Sequence, residues 1–171
     1  MDWTRAKQEE RIRRMGISHL IASGSVKNLK IVGREQTGSD GFLRASILTW
    51  HDLVIRKGYV VQGNIRCHKN VVLEEGCVIC GDVTADGSIQ TGRYVRIYGS
   101  LSARRNIVIG MGAVIGREDA PQSVTAGRDL KLFQDCCIYG KITALQKIRI
   151  VSHGKERIVH NAASTGNSGI L

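Results

Sequence analysis

Apolar side chains recur along this chain in pairs two residues apart, and the pairs return every six residues. Counted from Gly63, the offsets +2, +4, +8, +10, +14 and +16 read Ile65, Cys67, Val71, Leu73, Cys77 and Ile79. From Gly81 they read Val83, Ala85, Ile89, Thr91, Val95 and Ile97, and from Gly99 they read Leu101, Ala103, Ile107, Ile109, Ala113 and Ile115. Side chains two apart share one face of a strand, whereas a helix of period 3.6 does not place i, i+2 pairs on one face every six residues. Each unit of eighteen residues therefore predicts three short strands joined by corners, one turn of a three-sided parallel β-helix. The triplets Gly63-Asn64-Ile65, Gly81-Asp82-Val83 and Gly99-Ser100-Leu101 mark the same corner of successive turns.

The series extends both ways. One unit earlier stand Ile47, Thr49, Leu53, Ile55, Tyr59 and Val61, so the pattern begins near Ala45. After Ile115 the register fails and returns if the five residues Arg117 to Pro121 form a loop, giving Val124, Ala126, Leu130, Leu132, Cys136 and Ile138. A last unit starts at Gly140 with Ile142, Ala144, Ile148 and Ile150, before Gly154 and Glu156 break the pattern. The fold expected is all-β, about six turns, and at a strand spacing of about 4.8 Å the rod is about 29 Å long.

Four regions follow: residues 1–25 as a basic, helical extension, 26–44 as an irregular first turn or cap, 45–158 as the β-helix domain, and 159–171 as a small, polar, flexible tail. In the extension Trp3, Ile12, Met15, Ile17, Leu20 and Ile21 form a weak amphipathic stripe among basic residues. Such a helix caps one end of the solenoid or lies on an anionic membrane surface. In the second case Trp3 sits at the interface and Arg5, Arg11, Arg13 and Arg14 face the head groups. Residues 26–44 carry Leu29, Ile31 and Leu43 at the inward offsets.

Twenty glycines, one proline and 5% aromatic residues suit many tight corners around an interior too narrow for rings. No run of eighteen apolar residues occurs, and the first residues lack the apolar stretch of a signal peptide. Five cysteines fit a reducing compartment, so the expected location is cytoplasmic, peripheral at the inner face of the cell membrane where the N-terminus binds lipid. The net charge is +10, with twelve Lys/Arg against five Asp/Glu between residues 93 and 157, which attracts anionic surfaces. A nucleic-acid scaffold rests on that charge alone, because no aromatic-interleaved basic ladder or zinc-finger spacing accompanies it. Nucleic acid is thus not an expected partner.

Candidate chemistry is sparse. Cys77-Val-Ile-Cys80 resembles half a zinc site, but Cys77, Cys67 and Cys136 fall at inward offsets while Cys80 and Cys137 fall outward, so four sulfurs do not converge. The histidines at 19, 51, 68, 153 and 160 are scattered, and His68 has no carboxylate near it in sequence to orient it as a base. No phosphate-cradling glycine motif opens a helix after a strand. The expectation is no catalytic residue, no metal, no cofactor and no enzymatic activity.

An open β-helix end is an unpaired strand edge and a template for another chain. The ends here present Leu29, Ile31 and Leu43 on one side and Ile148, Ile150 and Ile158 on the other, the expected self-assembly surfaces. The segments Gly81-Asp82-Val83-Thr84-Ala85, Gly99 to Ala103 and Gly140 to Ala144, with "IVIGMGAVIG" at 107–116, resemble the bactofilin family of polymer-forming bacterial cytoskeletal proteins over residues 45–150. The resemblance implies a right-handed β-helix, nucleotide-free end-to-end filaments acting as a scaffold, and membrane attachment through the N-terminus in many members. The loop at 117–121 and the longer, more basic N-terminus depart from the family pattern. A rival resemblance lies in "IGMGAVIGREDAPQSVTAG" at 109–127, which is similar to the stretch that closes left-handed hexapeptide-repeat acyltransferases. That likeness implies acyl-CoA bound in a cleft between three subunits, with a histidine as base. Only this coil carries the aliphatic-glycine phrase cleanly and the solenoid continues past it, which favours the polymer.

Overall fold

The computed structural model describes residues 30–32, 40–160 and 163–166. Its strands, numbered in chain order, lie in three sheets that form the walls of one solenoid. Sheet A holds β1 (Lys30–Val32), β4 (Leu53–Ile55), β7 (Val71–Leu73), β10 (Ile89–Thr91), β13 (Ile107–Ile109), β16 (Leu130–Phe133), β19 (Lys147–Ser152) and β20 (Lys155–His160). Sheet B holds β2 (Phe42–Leu43), β5 (Val60–Val61), β8 (Val78–Ile79), β11 (Arg96–Ile97), β14 (Val114–Ile115) and β17 (Cys137–Ile138). Sheet C holds β3 (Ile47–Thr49), β6 (Ile65–Cys67), β9 (Val83–Ala85), β12 (Leu101–Ala103), β15 (Val124–Ala126), β18 (Gly140–Ala144) and β21 (Ala163–Gly166). No helix occurs among the described residues. The helical extension expected over 1–25 lies outside them.

The eighteen-residue period is the pairing register: Val71 lies opposite Ile89, Val83 opposite Leu101, and Ile79 opposite Ile97, all parallel. Every inward offset from Ile47 to Ile150 is buried except Tyr59, which is half-buried against the core. The two inward threonines are satisfied, since Thr49 Oγ1 accepts from the His51 amide at 3.1 Å and Thr91 Oγ1 from the Gly110 amide at 3.0 Å. The loop at 117–121 is extruded as expected. Leu101 pairs with Val124 across it, and Arg117 and Ala120 close it by exchanging backbone hydrogen bonds.

Each corner is held differently. Between sheets B and C a polar ladder runs along the axis: Ser46 Oγ accepts from the Asn64 amide at 2.9 Å, Asn64 Oδ1 from the Asp82 amide at 2.8 Å, and Asp82 Oδ1 from the Ser100 amide at 2.7 Å. A Cβ on Gly81 or Gly99 would collide with the ladder oxygen of the coil before, Asn64 Oδ1 or Asp82 Oδ1. That collision is why glycine precedes each ladder residue in the repeated triplet. Between C and A a second ladder links Asp52, Asn70, Ser88, Asn106 and Asp129 in the same way. Between A and B the corner residue takes a left-handed φ, as at Gly76 (φ 73), Tyr94 (φ 57), Gly112 (φ 70) and Asp135 (φ 61).

Both ends differ from the simple repeat. Ile31 and Leu29 were expected one unit below Thr49 and Ile47, on sheet C. Ile31 instead pairs with Val54 on sheet A, because the first coil takes five more residues than the repeat. Leu29 lies outside the described residues. At the other end, His153 (φ 50) and Gly154 (φ 73) are both left-handed, the requirement of a two-residue hairpin turn whose twist matches the flanking strands. The chain reverses there, so β20 runs antiparallel to β19. Within the stretch expected to be a flexible tail, β21 forms and pairs antiparallel with β18.

Candidate functional site

The corner between sheets C and A also carries an outer column of residues eighteen apart: Trp50, His68, Asp86 and Arg104. His68 Nδ1 lies 2.8 Å from Asp86 Oδ2, and the Trp50 ring stacks on the imidazole with centroids 5.1 Å apart at 20°. Asp86 Oδ1 also accepts from Arg66 Nη2 at 3.0 Å and lies 3.4 Å from Arg104 Nε. The hydrogen bond from His68, then the nearby Arg66 and Arg104 charges, hold the Asp86 carboxyl below its ordinary range, against the opposing effect of burial. An ionised Asp86 only accepts, so His68 Nδ1 is the donor of this bond and Nε2 is the ring nitrogen left outside the pair. The His68 side chain is about one third exposed.

Reading His68 as lacking an orienting carboxylate is thus corrected: Asp86 is distant in sequence and adjacent in space. The signal is in the sequence, since 68 and 86 differ by one repeat, but it lies at outward positions, where residue type does not recur. Trp50, Arg66 and Arg104 were missed for the same reason. Trp50 and its neighbour Leu48 are 61% and 54% exposed, an apolar lip beside the dyad.

The expected self-assembly residues lie at the two ends. Leu43 pairs with Val61 and packs half-buried on the core, and Ile31 sits at the sheet A edge. Ile148 and Ile150 are already buried in the last coil, whereas Ile158 on β20 is 46% exposed with Val159 beside it. The expected membrane contacts Trp3, Arg5, Arg11, Arg13 and Arg14 lie outside the described residues. Among the described residues no helix is long and apolar enough to cross a membrane.

The cysteines follow their register, with Cys67, Cys77 and Cys136 buried, Cys80 exposed and Cys137 half-buried. Burial pushes the three inner thiols up to about 11, about 12 and about 11. Their sulfurs meet backbone carbonyls: Cys67 Sγ donates to His51 O at 3.1 Å, Cys77 Sγ to Arg56 O at 2.9 Å, and Cys136 Sγ to Gly110 O at 3.1 Å. Among the described residues no three His, Cys, Asp or Glu side chains gather as a metal cluster.

No family model matches the chain, and no solved structure does. The chain is 24% identical over 91 residues to a probable UDP-3-O-acylglucosamine N-acyltransferase 2, mitochondrial, of Arabidopsis thaliana. The matched stretch is 53% of this chain and spans only 29% of that protein. This likeness overturns the expectation of no enzymatic activity. In a β-helix the inward residues fix the fold, and the outward ones are left to carry chemistry. Scarce motifs along the linear sequence are therefore no argument against a site. Fold and likeness together describe a β-solenoid of the structural or hexapeptide-repeat kind.

Proposed function

We propose that the chain is a scaffold that assembles end to end with copies of itself, without a nucleotide, in the manner of the bactofilin family its repeat resembles. One observation carries the reading: among the described residues each of the three sheets finishes at both ends in a strand paired on one side only. These are β1, β2 and β3 at one end and β20, β17 and β21 at the other. A free strand edge offers a row of backbone donors and acceptors to another chain. On β20 the edge is accompanied by exposed Ile158 and Val159, and burying such a side chain is worth about 1.5–3 kcal/mol. Negative-stain microscopy and sedimentation across a concentration series test the reading. Wild-type protein should form rods that lengthen with concentration, and Ile158→Lys with Val159→Lys should shorten them without lowering the melting temperature. Protein that stays monomeric at high concentration defeats the proposal.

A second reading, acyl transfer from an acyl thioester such as acyl-CoA, is favoured by the His68–Asp86 pair. In it His68 Nε2 takes the proton of an acceptor amine as the nitrogen attacks the thioester carbonyl. The C–N bond forms, the C–S bond breaks, and the thiolate leaves with the proton that His68 returns. Arg66 and Arg104 would face the anionic part of a substrate. Release of free thiol from acetyl-CoA with a UDP-linked amino sugar, lost in His68→Ala and in Asp86→Asn at unchanged melting temperature, supports this reading. No release by the wild type refutes it for that donor and acceptor.

A further inference from the structure

The three corners of the later coils differ in charge. The corner between sheets C and A carries Arg104, Arg105, Arg128 and Lys147, and beside it Lys131 and Arg149 pair on the outer face of sheet A. In the coils of β13 and β16 the corner between A and B, residues 110–112 and 134–135, has no Lys or Arg, and the loop between B and C sets Glu118 and Asp119 against Arg117. The basic corner is stacked: the Arg128 amide donates to Arg105 O and the Gln146 amide to Arg128 O, both at 3.0 Å, and the Leu145 amide to Ala126 O at 3.1 Å. Arg104, Arg105 and Arg128 are exposed. Leu145, at the head of the same edge, is 68% exposed, more than any other large apolar side chain among the described residues. The carboxylates nearby are occupied, Asp86 by His68, Arg66 and Arg104 and Asp129 by Arg149 at 3.7 Å. Among the described residues no carboxylate lies within 4.0 Å of the side-chain nitrogens of Arg105, Arg128, Lys131 or Lys147.

We propose that this edge of the solenoid is a contact surface for an anionic lipid bilayer, with Leu145 entering the head-group layer and Arg105, Arg128, Lys131 and Lys147 meeting the lipid anions. Binding at a bilayer surface grows with the apolar area buried there and with attraction between basic side chains and anionic lipid, and this edge supplies both. Its shape suits a plane. A corner of a three-sided rod is a convex edge whose coils stack in register, so its cations reach a flat surface together. A nucleic acid would draw on the same charges, but Leu145 gives no ring on which a base can stack. The edge runs along the side of the rod, so contact with a bilayer leaves both ends of the solenoid open.

Vesicle sedimentation of the full chain tests this, with equal parts of phosphatidylserine and phosphatidylcholine compared with phosphatidylcholine alone. The wild type should bind the anionic vesicles, and less so as salt rises. Arg105→Gln, Arg128→Gln and Lys147→Gln together should weaken that binding about a hundredfold, at about 1 kcal/mol for each charge and about 1.4 kcal/mol for each factor of ten. A second readout does not depend on how the triple variant folds. With Cys80→Ser and Cys137→Ser removing the outward thiols, a polarity-sensitive fluorophore on Leu145→Cys should brighten on anionic vesicles, and one on Glu118→Cys should not. Wild-type protein that ignores anionic vesicles, or binds both compositions equally, overturns the proposal. So does a fluorophore at position 145 that stays dim. Binding that survives the three substitutions assigns the contact to the N-terminal cations, and retention of duplex DNA without retention of vesicles assigns the edge to nucleic acid. Either result overturns it as well.

Discussion

Two corners of the same solenoid, eighteen residues apart, send the chain in opposite directions. At Asp135 the left-handed residue is followed by inward Cys136, and the chain turns onto sheet B as in every earlier coil. At His153, one repeat later, the left-handed residue is followed by Gly154, which is also left-handed, and the chain doubles back along sheet A. Both corners follow a strand of sheet A, so the difference lies after the turn: inward Cys136 and Ile138 are replaced one repeat later by Gly154 and Glu156. A left-handed residue followed by an apolar side chain that the core accepts continues the helix; two left-handed residues in succession close a hairpin and finish it. The middle coils are thus specified by burial, and the end is specified by backbone conformation.

Breaking the middle should have the largest effect. Ile97 is fully buried, and Ile97→Asp places a charge with no partner among apolar side chains, at a cost of several kcal/mol. Denaturant unfolding should find little folded protein, because a domain holds only about 5–15 kcal/mol in total. Ile158→Asp on the terminal strand should shift the same midpoint by no more than about 0.5 kcal/mol, as exposed substitutions do. Equal losses at the two sites would show that the end is as tightly built as the middle.

The inward positions were legible because each must fit the same narrow interior, so the chain repeats them at a fixed period. Nearly everything that failed to be read lies outside that constraint. Asp86 was unread because its partner His68 is eighteen residues away and on the outer surface, where no repeat in residue type announces it. Ile31 was placed on the wrong sheet because the first coil has extra residues and Ala45 stands where later coils carry the corner glycine. The strand at 163–166 carries Ala-Ser-Thr-Gly, with no apolar alternation, since it pairs along an edge. Gly154 was visible as a break in pattern, but reversal of direction depends on its φ and that of His153, which composition does not record.

Glycine substitutions sharpen the comparison at a smaller scale. Gly81→Ala in the middle forces a methyl into Asn64 Oδ1 and breaks a ladder bond, and should cost about 2 kcal/mol in thermal unfolding. At Gly154 an added Cβ meets no atom within 4 Å, so Gly154→Ala carries only left-handed strain of about 1 kcal/mol. Its effect should be confined to faster amide exchange in β20. Global loss from Gly154→Ala would mean that the hairpin holds the whole stack.

The smallest effect expected is on pH dependence. Below the ordinary thiol value of 9.0 the inner cysteines are protonated in folded and unfolded chains alike. Above it the unfolded chain loses those protons while the folded chain keeps them until about 11 for Cys67 and about 12 for Cys77. The raised values therefore stabilise the fold fully below pH 9.0, and that contribution is lost as the pH rises through about 11 to about 12. Melting temperatures across this window should fall less steeply in a Cys67→Ala, Cys77→Ala protein. Identical slopes would show that the buried thiols do not set the alkaline limit.

The two polar ladders have a mechanical meaning. Each ladder residue grips the backbone amide of the next coil, and Asp52 the Asn70 side-chain amide as well, so a pull on the last coil along the axis meets one coil's bonds at a time. Such a rod peels turn by turn under tension at its end, at a force set by a single coil however many coils it contains. Shear across the axis would instead have to open three sheets together. Lengthening the rod would add reach without adding tensile strength.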